Sequence, residues 1–250
     1  MDDRLETLAL AERVAAEAGA ALAARRASWA QVEGEEGREV KIAGDRAAEA
    51  LISAALSARS PWPILSEERG WAGAANLARF WAVDPLDGSV NYAQGYPHCA
   101  VSIALVEDGA PALGVVDCFL LGERFTGAVG AGAWVNGAPM RVSSVADPAR
   151  GVLNTGIPAR MATDAPAQAR LLARLMAWRK VRMLGSAAAA LAYVAAGRAD
   201  AYCENGSMIW DVAAGCALVS AAGGQIRLSG ADLTQPLDVS ATNGIVPFPN

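Results

Sequence analysis

Asp84 and Asp87 stand three residues apart across Pro85 and Leu86 in the run WAVDPLDGSVNY, residues 81–92. Glu67 and Glu68 close the preceding apolar run, WPILSEE, and Asp211 follows Trp210 in a later one. Carboxylates gathered where apolar strands end suit a hard divalent cation such as Mg²⁺, which takes several carboxylate and carbonyl oxygens around a rigid turn. Pro85 fixes that turn, so Asp84 and Asp87 can converge while a backbone carbonyl between them stays free. Gly88 and Ser89 then supply N–H groups and a hydroxyl beside the acids, the donors a phosphate needs. Each residue also has a plainer reading. Asp-Pro-Leu-Asp-Gly is a common turn sequence, and Glu67-Glu68 reads as a solvated pair. Asp45 and Asp211 serve equally as helix N-caps, and Glu204, alone after an apolar strand, as an acid facing water.

The elements that must position these groups follow from periodicity. Residues 4–26 read as one amphipathic helix with Leu5, Leu8 and Val14 among its larger apolar positions, and Asp45 opens a second, DRAAEALISAAL. WPILSEE and FWAVD are short strands leading into polar loops. CAVSIALVEDG, GVVDCFL and ERFTGAV alternate as antiparallel strands do, and Asn136-Gly137 marks a hairpin. After Pro148 the texture changes. Strand GVLNTG, a helix from about Thr163 to Trp178, strand VRML, helix SAAAALAYVAAG, strand ADAYCE, helix DVAAGCALVSAAGG and strand QIRLS alternate. The fold class is therefore α/β, with an α+β first half (1–148) and an α/β second half (149–250) forming one continuous catalytic unit.

Composition narrows the function. The 250 residues, 53% of them hydrophobic, suffice for one large α/β domain or two small ones sharing a core. A net charge of −5 argues against direct nucleic-acid binding and leaves small molecules and cations as partners. The acidic, amphipathic start has no basic region followed by an apolar one. The longest uncharged apolar stretch, Met183–Gly197, is too short and interrupted to span a bilayer, so a cytoplasmic protein is expected. Cys99, Cys118, Cys203 and Cys216 are scattered, which suits reduced core thiols and not zinc. His98 is the single histidine, so most Ser-His-Asp or Cys-His schemes would have to use it as base. The glycine run GAGAWVNG sits in a hairpin, and no Walker-A sequence is present.

Taken together, the motifs resemble the inositol monophosphatase family of Mg²⁺-dependent, lithium-sensitive phosphatases, over nearly the whole chain and in the same order. SEE matches the paired glutamates, and WAVDPLDGSVNY the signature D-P-[ILVM]-D-G-[ST]-x-N-[FY]. GYPHCAVSIAL and GAGAWVNG match the strand and hairpin that follow. LGSAAAALAYVAAGRADAYCE matches the substrate-side segment, and WDVAAGCALVSAAGG the second signature, W-D-x-[AS]-[AG]-G. The resemblance implies a layered αβαβα sandwich, a homodimer, and two or three Mg²⁺ ions. Glu67, Asp84 and the Leu86 carbonyl would hold the first ion, and Asp84, Asp87 and Asp211 the second. Gly88 and Ser89 would grip phosphate, and Ser89 with Asp45 would orient and deprotonate the attacking water. Glu68 would stand behind the ligands or support a third ion. Gly185, Ser186, Ala187, Glu204 and Asp211 would line the alcohol side.

Two departures stand out. Ser89 replaces the commoner threonine but keeps the hydroxyl. The segment EEGREVKIAGD lacks the usual lid pattern, with Glu39 near the acid position and Lys41 and Ile42 where valine and threonine are common. The substrate implied is a small polyol phosphate, inositol 1-phosphate first. Histidinol phosphate, fructose 1,6-bisphosphate and NADP are the alternatives within the family. An aspartyl-nucleophile phosphatase would need D-x-D spacing, which D-P-L-D does not provide. Some bacterial members also associate with the transcription machinery, so a second binding role stays open.

Overall fold

Leu8, Ala11, Val14, Ala15, Ala18 and Leu22 recur every three or four residues and are buried, which gives helix α1 (Asp2–Trp29) a continuous apolar stripe. Leu5, expected on the same face, is exposed. A computed structural model describes residues 2–36, 39–157 and 164–249. Thr163, the expected helix start, and the side chain of Glu39 lie outside the described residues.

The hairpin of β1 (Val32–Glu36) and β2 (Glu39–Ile42) leads into α2 (Ala43–Ser57). Then follow β3 (Ile64–Ser66), β4 (Gly70–Ala72), β5 (Arg79–Asp87), the short helix α3 (Ser89–Gln94) and β6 (Ala100–Glu107). A meander continues through β7 (Ala110–Cys118), β8 (Glu123–Ala128), β9 (Gly132–Val135) and β10 (Ala138–Pro139). These strands form one sheet in the order β10-β9-β8-β7-β6-β5-β3-β4, antiparallel except where β3 runs parallel to β5. Asn136 and Gly137, both with positive φ, make the expected turn between β9 and β10.

The remaining elements are β11 (Val152–Thr155), α4 (Ala165–Met176), β12 (Lys180–Arg182), α5 (Ala187–Ala195), β13 (Ala201–Ser207), α6 (Ile209–Ala221), β14 (Gln225–Ser229) and β15 (Leu237–Thr242). Their sheet runs β12-β11-β13-β15-β14, with β15 antiparallel between β13 and β14.

Burial shows how the layers stack. Every residue from Ala100 to Val106 in β6 is buried, so the large sheet is covered on both faces. α1 and α2 cover one face. α5 and α6 cover the other, where Leu191, Val212 and Leu218 join Phe80 and Phe125 of the large sheet and Tyr202, Val239 and Ala241 of the small one. α4 lies outside the small sheet, with Leu175 against Leu153 and Trp178. The result is the five-layer αβαβα sandwich. Its middle layer is thin because Gly114 of β7 lets the backbone of α6 approach; a Cβ there would lie 2.4 Å from the Ala214 carbonyl oxygen.

Candidate active site

The site forms where β5 ends. In a regular strand, residues 84 and 87 would face opposite sides, because their spacing is odd. The pairing of β5 with β6 slips by one residue between Asp84↔Ser102 and Asp87↔Ala100. This bulge, centred on Pro85, which has no N–H to lose, turns both carboxylates into one cavity. Asp84 Oδ1 accepts the Leu86 N–H at 2.9 Å, which tightens the turn.

Three other elements converge there. Glu67 follows β3, held by its own N–H to the Val83 carbonyl at 3.3 Å. Asp211 lies in the first turn of α6, and its Oδ2 accepts the Met208 N–H at 2.8 Å. The Trp210 carbonyl accepts the Ser102 hydroxyl at 3.3 Å, which pins the head of α6 beside Asp84's strand partner. The N-terminus of α5 meets Asp87: Ser186 Oγ donates to Oδ2 at 2.5 Å, Ala188 N–H at 2.8 Å and Ala187 N–H to Oδ1 at 3.3 Å. A carboxylate at a helix N-terminus is favoured by the dipole and the free amides.

Gly88 ends the turn in a left-handed conformation, φ 86°, and a Cβ there would lie 2.9 Å from the His98 carbonyl and 3.0 Å from that of Gly185. Only glycine lets the chain pass between these two carbonyls. Ser89 then opens α3 with its hydroxyl 3.0 Å from both Asp45 Oδ1 and the Leu86 carbonyl. Asp45 is the third residue of α2, and its Oδ2 accepts the Ile42 N–H at 2.8 Å. Asp45 and Asp211 therefore stabilise their helix ends from inside the first turn and not from the cap position; the other oxygen of Asp45 accepts from Ser89, and Asp211 lines the cavity.

The electrostatics point to a missing positive charge. Burial, then repulsion from Glu67, Asp87 and Asp211, holds Asp84 well above the usual carboxylate range. Asp211 is raised likewise by burial, Glu67 and Asp87. Burial pushes Glu67 up to about 8, although its hydrogen bond to Asp84 pulls the other way. The residue as a whole is exposed through the cavity mouth, but its carboxyl group is enclosed by the other acids, and that enclosure governs its proton affinity. Burial raises Asp87 and Asp45 to about 6 against their stabilising hydrogen bonds. Among the described residues no three acids already converge as a finished cage. Asp84, Asp87 and Asp211 are turned partly toward their own backbone partners. The donor set still fits Mg²⁺: oxygen alone, several carboxylates, and strong mutual repulsion that a divalent cation relieves.

The cavity holds about 460 Å³, and Lys41 is the one cationic residue among its described lining. Its Nζ lies 3.9 Å from Glu68 Oε2. On the far side Gly185, Ala187 and Glu204 line the space together with Thr155, Gly156 and Tyr202.

The sequence profile of the inositol monophosphatase family matches residues 3–248. The chain belongs to that family. Inositol-1-monophosphatase of Synechocystis is 38% identical over 86% of this chain and 78% of its own length. Nus factor SuhB of Xylella fastidiosa is 47% identical over 75% and 69%. The structure of inositol monophosphatase from Anabaena superposes with a TM-score of 0.83 at 34% identity, over 96% of this chain and 91% of the other. The suhB protein of Bartonella henselae gives 0.84 at 33%, over 95% and 94%. Membership makes this chain a phosphatase of a metal-dependent superfamily.

The family's motif residues here fall in one place: Glu67, Glu68, Asp84, Leu86, Asp87, Gly88, Ser89 and Asp211 line a single cavity, and Asp45 is buried behind Ser89, whose hydroxyl it accepts. Ser186, expected to line the alcohol side, does reach the cavity, but its hydroxyl is committed to Asp87 and to the Ala189 N–H. His98 stays outside the lining, its ring edge-on to Tyr193. The four cysteines are free and buried, as core thiols are. Sequence reasoning missed Tyr202 and Gly156. It also missed Ser207, whose buried Oγ has no partner among the described residues.

Proposed function

We propose that this chain is a cytoplasmic, homodimeric Mg²⁺-dependent phosphomonoesterase acting on a small polyol phosphate, inositol 1-phosphate first. The observation that carries this is the gathering of Glu67, Asp84, Asp87 and Asp211 beside the Gly88–Ser89 turn, all with proton affinities raised by burial and, for Glu67, Asp84 and Asp211, also by neighbouring acids. Glu67, Asp84 and the Leu86 carbonyl would hold one ion, and Asp84, Asp87 and Asp211 another. When bound, Mg²⁺ supplies an acidified water and charge compensation for phosphate and leaving oxygen.

The chain's own groups do the rest. The Gly88 N–H and Ser89 hold the phosphate oxygens. Ser89 Oγ takes a proton from the attacking water as it gives its own to Asp45 Oδ1. Burial raises Asp45 to about 6 in the cation-free site, and it accepts the Ser89 hydroxyl, the geometry a base acting through Ser89 needs. Attack is in line on phosphorus, with no phosphoenzyme. Glu204 accepts hydrogen bonds from hydroxyls on the alcohol side. Li⁺ inhibition, uncompetitive or mixed, belongs to the same reading. Lys41, facing Glu68, would raise the Li⁺ required and weaken any third cation site.

The test is a phosphate-release screen with Mg²⁺ or EDTA over inositol 1-phosphate, histidinol phosphate, fructose 1,6-bisphosphate, adenosine 3′,5′-bisphosphate and NADP. Inositol 1-phosphate should give the highest kcat/KM, and EDTA should abolish release. A higher value for histidinol phosphate moves the assignment to that substrate, and release in none removes the catalytic reading. A binding role beside catalysis is favoured by one observation, the name Nus factor SuhB carried by a 47% identical relative.

A further inference from the structure

Glu204 reaches the cavity in an unusual setting. Tyr202 and Glu204 are two residues apart on β13, so their side chains leave the same face of the strand. Tyr202 is fully buried, and its phenol donates to Glu204 Oε2 at 2.9 Å. Burial first, and then the Glu204 charge, hold that phenol well above its ordinary pKa, so it remains a donor. Among the described residues no other hydrogen bond to this carboxylate is formed, and Glu204 lines the cavity.

On the neighbouring strand, Thr155 pairs with Cys203 and its hydroxyl donates to the Cys203 carbonyl at 2.6 Å. That contact places Gly156 directly beside Glu204. A Cβ on Gly156 would lie 2.4 Å from Oε2 and 2.7 Å from Oε1, and its three nearest neighbours are all atoms of the Glu204 carboxyl group. The backbone of Gly156 is not in the left-handed region, so glycine is needed here for space and not for conformation. The carboxylate is thus held by a phenol at one oxygen and fills a slot that any side chain at 156 would close.

We propose that Tyr202 and Gly156 seat the Glu204 carboxylate as acceptor for a hydroxyl of the substrate alcohol, and so act as positioning residues for specificity. The proposal rests on the reading of Glu204 given under Proposed function. Here one oxygen is held by Tyr202, and Glu204 lines the cavity where a substrate hydroxyl could donate to the other. Both positioning residues lie nearest Oε2, Tyr202 through a hydrogen bond and Gly156 through the space it leaves, and these two different contacts are separable by mutation.

The experiment measures kcat and KM for inositol 1-phosphate and for 4-nitrophenyl phosphate, an ester without aliphatic hydroxyls, at saturating Mg²⁺. Tyr202→Phe, Gly156→Ala, Glu204→Gln and Tyr202→Phe/Glu204→Gln are compared with the parent. Tyr202→Phe keeps the ring packing. Gly156→Ala meets only the mobile end of Glu204, so either variant serves if the other folds poorly. Each should lower the polyol-to-aryl ratio of kcat/KM about 5- to 10-fold, chiefly through KM for the polyol, as loss of one hydrogen bond would. Tyr202→Phe should add nothing once Glu204 is Gln. If Glu204→Gln lowers the ratio while Tyr202→Phe and Gly156→Ala leave it unchanged, the seat is refuted and the reading of Glu204 survives. If Glu204→Gln also leaves it unchanged, that reading fails and takes the seat with it. Equal losses on both esters in Tyr202→Phe and Gly156→Ala would make the pair structural and overturn the proposal.

Discussion

Removing the Ser186 hydroxyl separates the holding of a carboxylate from the holding of a substrate. Ser186 is 5% exposed, donates to Asp87 Oδ2 and accepts the Ala189 N–H at 3.2 Å as the N-cap of α5. Ser186→Ala leaves Asp87 with the backbone amides at the head of α5 and no hydroxyl donor. Loss of the cap costs about 1 kcal/mol, and loss of a hydrogen bond to a charged group about 1.5–3 kcal/mol. The two share one hydroxyl and do not add fully, so roughly 2–4 kcal/mol is expected. For a chain of this size that lowers Tm by about 5–15 °C. The assays are thermal unfolding in EDTA, and phosphate release titrated with Mg²⁺ and then with substrate. Half-saturating Mg²⁺ should rise about tenfold, the factor that about 1.4 kcal/mol of weakened binding produces. The substrate KM at saturating Mg²⁺ should stay within about twofold, and Ser186→Thr should recover most of the loss. A Tm change under about 2 °C with an unmoved Mg²⁺ requirement and a raised substrate KM would refute this argument, and would return Ser186 to the alcohol side.

Asp84→Asn, which removes the charge common to both proposed ion sites, should abolish turnover. Retention of more than about a tenth of parental kcat, a loss below ~1.4 kcal/mol, would contradict it. Gly88→Ala forces a side chain into φ 86° between two backbone carbonyls, and the strain of about 1–3 kcal/mol should appear as a lower Tm and a phosphate KM raised about tenfold or more. The cation-free protein should lose stability as pH rises. Glu67 is raised from 4.5 to about 8, and Asp45 and Asp87 from 3.8 to about 6, so the folded state holds protons that the unfolded chain has released. That stabilisation is complete below about pH 4 and is lost as pH rises first through about 6 and then through about 8. The Tm difference between Mg²⁺ and EDTA should therefore widen from pH 5 to pH 8, and a constant difference would contradict the assigned charges.

Much of the molecule is written in local pattern. The stripe of α1, the alternating meander and the Asn136-Gly137 turn are short-range signals, and the structure follows them. The hairpin β1–β2 was not legible because VEGEE and EVKI carry more charge than apolar surface. β15 was missed although Leu237, Val239 and Ala241 alternate with Asp238 and Ser240 in the simplest strand pattern; its place between β13 and β14 makes the small sheet mixed. The site acids were visible as types and spacings. What turns Asp84 and Asp87 to the same side is a one-residue slip in pairing, a property of two strands together that neither strand's sequence displays. Gly156 and Tyr202 left no signal of their own, because their effect is on a third residue that only the fold brings beside them.

The double duty of the acids bears on how such a chain ages. Asp45 and Asp211 each answer a backbone N–H ahead of their helices, at Ile42 and Met208, Asp84 answers Leu86, and Asp87 answers the amides at the head of α5. Alanine at any of them would strand a buried or half-buried donor, whether or not phosphate is ever cleaved. A lineage that gave up turnover and lived on as a binding scaffold would therefore go on carrying these four aspartates, or asparagine in their place, under selection for folding alone. Glu67 is different, since among the described residues its carboxyl group has only Asp84 and the repulsion of its neighbours for company. Without a cation to hold, it relieves strain by leaving. Position 67, and not the aspartate signature, is where drift should first record that catalysis has ended.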